Sequence, residues 1–201
     1  MSRLSLTKAS LTRQKGLLKT YHDVLPSLDL KRRQLSAERD QASQSVKALL
    51  ERIRSLEEEV GKVCPMLAHQ EILLDGLVRL TDVRVGEENL MGTRLPRVDR
   101  VSVAVADYGL LSLPFWVDRV VECLKDALRT RIELQVAEQR LERLREAERT
   151  VTQRFNLFDK VLIPRTRGTI KTIAIYLADA ERAGVVNSKI AKRKKEKVLG
   201  R

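Results

Sequence analysis

Apolar residues recur every seven positions through the first 63 residues. One seam position reads Leu4, Leu11, Leu18, Leu25, Arg32, Arg39, Val46, Ile53 and Val60. Its companion reads Thr7, Gln14, Tyr21, Leu28, Leu35, Ala42, Leu49, Leu56 and Val63. Thirteen of these eighteen are apolar and the register never slips, so the pattern predicts a coiled-coil helix and not one packed on a globule. Sixty helical residues span roughly 90 Å. Pro26 removes one backbone donor and crowds the carbonyl four residues earlier, which predicts a kink near 22–26 in an otherwise continuous helix. Cys64-Pro65 closes this arm.

A second arm follows Pro114-Phe115-Trp116. Its seam reads Ala127, Leu134, Leu141, Glu148, Phe155 and Leu162, with companions Thr130, Ala137, Leu144, Val151 and Phe158. Pro164 disturbs the repeat, and Ile170, Ile173, Leu177 and Ala180 resume it in a shifted phase. Residues 189–197 are compatible with helix but bury almost nothing, so they are expected to fray.

Two arms of similar length separated by about fifty irregular residues predict an antiparallel hairpin, with 63 facing 120 and Pro26 near Asn156–Phe158. Leu25 and Leu28 then oppose Phe155 and Phe158. In the middle, Met66–Leu80 reads as a short helix. Val101-Ser102-Val103-Ala104-Val105 alternates as a strand, Asp107-Tyr108-Gly109 reads as a turn, and Leu110–Leu113 as the returning strand. The expected fold is mainly α: a long antiparallel two-helix coiled coil with a short helix and a small β-hairpin capping its foot. The expected organisation is an N-terminal helix (1–63), an irregular middle (64–119) and a C-terminal helix with a basic tail (120–201), all one structural unit.

The chain carries a formal charge of +12, and its distribution narrows the function. Segments 1–63 and 164–201 hold net charges of +5 and +8, whereas 64–119 is slightly acidic. A surface that coats nucleic acid throughout is not distributed this way, whereas two basic termini lying together are. Only three Phe, three Tyr and one Trp are present, which fits long helices with a narrow seam better than a thick core. Two cysteines, Cys64 and Cys123, exclude a disulfide scaffold and read as reduced buried thiols. No apolar run is long enough to span a bilayer and no signal peptide precedes the first arm, so a soluble cytoplasmic protein is expected.

No Gly-rich phosphate loop is present. His22 and His69 are not in metal-ligand spacing with the cysteines. Glu57-Glu58-Glu59 and Glu87-Glu88 read as solvated faces. Arg32 and Arg39, at seam positions, either snorkel to the seam's edge or fix its register. The residues therefore offer no catalytic, cofactor or metal site.

Three motifs resemble one family. Leu4-Ser5-Leu6-Thr7-Lys8-Ala9-Ser10-Leu11, with Leu28-Asp29-Leu30-Lys31-Arg32-Arg33-Gln34-Leu35, is similar to its N-terminal pattern. Asn89-Leu90-Met91-Gly92-Thr93-Arg94-Leu95-Pro96 resembles its central segment. Arg154-Phe155-Asn156-Leu157-Phe158-Asp159-Lys160-Val161-Leu162-Ile163-Pro164, followed by Thr169-Ile170-Lys171-Thr172-Ile173, resembles its most specific signature. The family is the D subunit of V-type (V/A-type) rotary ATPases, and the resemblance covers residues 3 to about 195. Leu6, Phe155, Asp159 and Pro26 depart from the usual residues.

The resemblance implies a non-catalytic central rotor stalk without a cofactor, at the cytoplasmic face of a membrane. Its partners would be the A and B subunits of the catalytic ring, the F subunit, and the subunit that links the stalk to the membrane ring. It implies that the basic tip bears on the A–B ring, with candidate contacts Arg3, Lys8, Arg13, Lys15, Arg182, Lys189, Lys192, Arg193, Lys194 and Lys195. The alternatives are a basic-tailed nucleic-acid-binding coiled coil, the stalk of a flagellar export or F-type machine, and a structural homodimer.

Overall fold

A computed structural model describes residues 5–63, 76–106 and 116–199. The chain is mostly helical, with a long helix at each end and a two-stranded antiparallel hairpin between them. Helix α1 spans Lys8–Val63, strand β1 Val78–Leu90, strand β2 Thr93–Val105 and helix α2 Trp116–Asn156. A π-helical segment, Leu157–Leu162, joins α2 to helix α3, Ile163–Leu199.

Thr7 starts α1: its hydroxyl accepts the Ser10 backbone N–H at 3.2 Å, which caps one otherwise unsatisfied donor, and its carbonyl accepts that of Leu11 at 3.0 Å in the first ordinary helical bond. The helix runs unbroken through Pro26. Residues 189–195, expected to fray, are helical and exposed.

By its contacts the chain forms two compact units, one drawn from both ends of the sequence and one from its continuous middle. One comprises Met1–Leu30 with Val151–Arg201, the other Lys31–Thr150.

In the unit Lys31–Thr150, the two helices run antiparallel, since Arg39 meets Glu148 while Glu59, further along α1, meets Arg119, earlier in α2. Leu35, Ala42, Leu56, Leu134, Leu141 and Leu144 are buried between 0% and 8% exposed. Thr130 is buried on the same stripe without cost in unmet hydrogen bonding, because its hydroxyl donates to the Asp126 carbonyl at 2.7 Å.

The strand expected at 101–105 is present and pairs with 78–83. The turn lies at Met91-Gly92, both with positive φ (51° and 80°), the backbone of a type I′ connection. The Asn89 side chain closes it by accepting the Gly92 N–H at 2.9 Å. The expected short helix cannot reach Leu80, since Gly76 and Leu77 lie in a turn and bend and β1 begins at Val78. Residues 66–75, and the turn and strand expected at 107–113, lie outside the described residues.

Nor does the ribbon merely cap an end. At its base, Leu77, Val78 and Val105 pack on Trp116, Val117, Val120 and Val121 of α2. Near its tip, Arg140 and Arg143 of α2 hold Glu88 and the Arg94 carbonyl. Thirteen strand residues cover about 40 Å and the helix between Val117 and Arg140 about 35 Å, so the ribbon lies lengthwise along α2.

In the other unit, Tyr21 and Phe158 meet edge to face with centroids 5.4 Å apart, a favoured aromatic geometry. The ring partner of Phe158 is thus Tyr21, one turn before Leu25. Val151, Ile163, Thr166 and Ile173 form the buried stripe. The heptad of α2 carried forward would place seam residues at 162, 165 and 172. Those buried are Ile163, Thr166 and Ile173, each one residue later. The π-helical segment supplies the extra residue: the Ile163 N–H reaches back five residues to the Phe158 carbonyl, which inserts one position into the helical count. Pro164 immediately follows and has no N–H to offer the Lys160 carbonyl, so the wider turn forfeits no ordinary helical bond there.

Candidate functional site

The seam is where the sequence concentrates its apolar signal. Leu35, Leu56, Leu134, Leu141, Leu144 and Val151 are buried; Leu11, Leu18, Leu25, Leu28, Leu49, Ile53, Phe155, Phe158 and Leu162 are half-buried. Near Cys123 the paired helices leave an apolar groove of about 390 Å³, lined by Ile53, Leu56, Val60, Val120, Cys123, Leu124 and Ala127. Cys123 is buried there, and Cys64 lies outside the described residues.

Polar seam residues are paired across the helices. The Arg39 guanidinium donates to Glu148 at 2.8 Å and to Asp40 at 2.7 Å. Asp40 first, with Glu148 adding to it, holds Arg39 above the ordinary arginine range despite its partial burial. Of the two uses expected for Arg39, the geometry has it reach across the seam to another seam residue. Arg119 bridges Glu59 of α1 and Glu122 of its own helix, and its proton is held above the ordinary value first by Glu59 and then by Glu122.

The basic ends are brought into one unit. Lys8 pairs with Glu181 at 3.1 Å, and both are well exposed, so this contact contributes little to stability. Arg13, Lys15, Arg182, Lys189, Lys192, Arg193, Lys194 and Lys195 are all exposed, Arg182 with Asp179 at 3.6 Å. Arg3 lies outside the described residues.

Two features escaped the reading of the sequence. The first is an outer apolar strip on α3, where Ile175, Tyr176, Val186 and Ile190 are each about half exposed. Helical geometry sets Ile175, Val186 and Ile190 away from Ile173 and Ile170, with Tyr176 at the strip's edge. Ile175, Val186 and Ile190 recur at helical spacing, but the stronger seam pattern masks them. The second is the clamp of Glu88 on Arg140 at 2.8 Å. Arg140 holds the Glu88 carboxyl below its ordinary value. Nothing local in the sequence joins residues 52 positions apart.

Among the described residues no group of three or more His, Cys, Asp or Glu is placed to hold a metal ion. No described helix is long and apolar enough to cross a membrane.

An antiparallel pair of terminal helices carrying an inserted β-ribbon defines the class of protein. The comparisons narrow it. The family model for the ATP synthase D subunit matches residues 10–193. The chain is 33% identical over 192 residues to a V-type ATP synthase D subunit from Borreliella burgdorferi, covering 96% of this chain and 95% of that one. It is 32% identical over 196 residues to the protein of the same name from Chlamydia muridarum, covering 96% of each. This chain belongs to the ATP synthase D-subunit family.

Proposed function

We propose that the chain is the central-stalk rotor subunit of a V/A-type rotary ATPase, a non-catalytic part that couples ion passage through the membrane to ATP synthesis or hydrolysis. The observation that carries this reading is family membership across residues 10–193, the helical arms and the ribbon together. Its partners are the A and B subunits of the catalytic ring, the F subunit, and the subunit that joins the stalk to the membrane ring. It works at the cytoplasmic face of the membrane without inserting into it.

In this role an asymmetric helical pair presents a different face to each A–B interface as it turns, and so takes the catalytic sites through successive conformations. The seam carries torque: paired side chains must resist sliding, and Leu35, Leu134 and Leu144 have almost no exposed surface left to yield. The basic ends, Arg3, Lys8, Arg13, Lys15, Arg182, Lys189, Lys192, Arg193, Lys194 and Lys195, bear on the ring. Exposed charges on long side chains make weak contacts that re-form at each step, whereas tight bidentate pairs would hold the rotor in one position. The outer strip Ile175, Tyr176, Val186 and Ile190 adds apolar contact beside them.

Native mass spectrometry of this chain co-expressed with A, B and F from the same genome tests the reading. One copy of this chain and one of F per six-subunit ring is expected. Failure to join the ring, with salt-sensitive retention on nucleic acid, would overturn it.

A further inference from the structure

Two arginines face each other across the ribbon. Arg84 on β1 and Arg100 on β2 are directly opposed in the strand register, and both are exposed. Like charges at directly opposed positions weaken a strand pair, so nothing in the hairpin's own stability calls for them.

The surrounding groups hold this face in place. Arg84 donates through Nε to Asp82 Oδ2 at 3.1 Å, which leaves its two Nη groups. Further toward the tip, Gly86 is paired with Arg97. A side chain at 86 would collide with the Asp99 carboxylate; without one, that carboxylate fits beside the glycine and takes the Arg97 guanidinium at 3.0 and 2.8 Å. Arg97 is thereby neutralised locally, whereas Arg100 has no ion-pair or hydrogen-bond partner among the described residues.

We propose that Arg84 and Arg100 form a receiving site for a carboxylate, an Asp or Glu side chain of another subunit of the assembly. This rests on the stalk reading above. The guanidinium fork matches a carboxylate in two parallel hydrogen bonds, and an anion between the two arginines removes their repulsion. A polyanion fits less well. The ribbon interleaves Arg79, Arg84, Arg94, Arg97 and Arg100 with Asp82, Glu87, Glu88 and Asp99, whereas nucleic acid and anionic membranes select a sustained basic excess.

The test uses the full chain assembled with the other subunits of the same genome. Arg84→Gln/Arg100→Gln is expected to melt at the parent's temperature or higher, and to raise the dissociation constant for one subunit at least tenfold. In the Arg100→Lys chain, carbodiimide joins the introduced amine to a facing carboxylate as an amide, with loss of water; a cross-link from position 100 to another subunit's Asp or Glu is expected. Unchanged affinity for every subunit, or cross-links confined to Asp82 and Asp99, overturns the site and leaves the stalk reading standing. Arginine-dependent binding to duplex DNA or phosphatidylglycerol vesicles in place of a subunit also overturns it. A parent chain that joins no subunit overturns both.

Discussion

Arg39 of α1 and Glu148 of α2, each at a position where the heptad calls for an apolar residue, lie 2.8 Å apart across the helical pair. Their side chains are only 34% and 19% exposed, so water screens the contact less than at an open surface. Removing one partner leaves a part-buried charge with less compensation, while removing both does not. Glu148→Leu should therefore lower unfolding stability by about 1 kcal/mol, and Arg39→Leu/Glu148→Leu should recover it. Urea midpoints of the parent, the two single variants and the double variant form the cycle. Additive single effects would show that the pair is not coupled.

The bond from the Ile163 N–H to the Phe158 carbonyl sets the phase of everything that follows it. Inserting one alanine after Lys160 should add a residue that the π turn does not absorb and rotate α3 by about 100° relative to Val151–Asn156. Ile163 and Ile173, now 4% and 0% exposed, would leave the seam, with a loss of at least about 3 kcal/mol. Pro164→Ala should cost less than about 1 kcal/mol and retain the π turn, because the buried positions still require the extra residue. Urea unfolding of both variants checks this; a larger loss for Pro164→Ala would make the proline, not the seam, the cause.

The ribbon's clamp should weaken in acid. Glu88 has a folded value held below the ordinary 4.5 by Arg140, so its contribution is present above pH 4.5 and is lost as pH falls through 4.5 toward the depressed value. The stability difference between the parent and Glu88→Gln should be constant near neutrality and shrink below about pH 4.5. Urea midpoints from about pH 7 to about pH 3 would show it. A difference that persists at the acid end would exclude this carboxylate as its source.

Met91 occupies a left-handed backbone position (φ 51°) in the hairpin turn, where Asn is better tolerated. Met91→Asn should stabilise the chain by roughly 0.5 kcal/mol, since it creates the Asn-Gly pair that type I′ turns favour. Gly92→Ala, at φ 80°, should cost about 1 kcal/mol. Thermal melts of the two variants should shift in opposite directions.

These positions show unequal legibility. The second strand was visible because 101–105 alternates without interruption. Its partner was hidden by irregularities in the pairing, between Leu80 and Asp82 and between Arg84 and Val85, which spoil the two-residue period of 78–90. The turn was hidden because Met91 carries none of the usual signals for positive φ. Among the candidate contact residues, the basic ends were legible as charge. Nothing local indicated the exposed strip on α3.

The sequence by itself determined the two helical arms, the antiparallel sense expected of them and the break in phase after Pro164, because heptad repeats and prolines act over a few residues of chain. Only the tertiary structure decided that the break is one π-helical residue, that β2 pairs backward with β1, and that Arg39 reaches Glu148. Each depends on groups meeting across the fold, where the choice rests on packing and charge pairing between distant segments and not on local propensity.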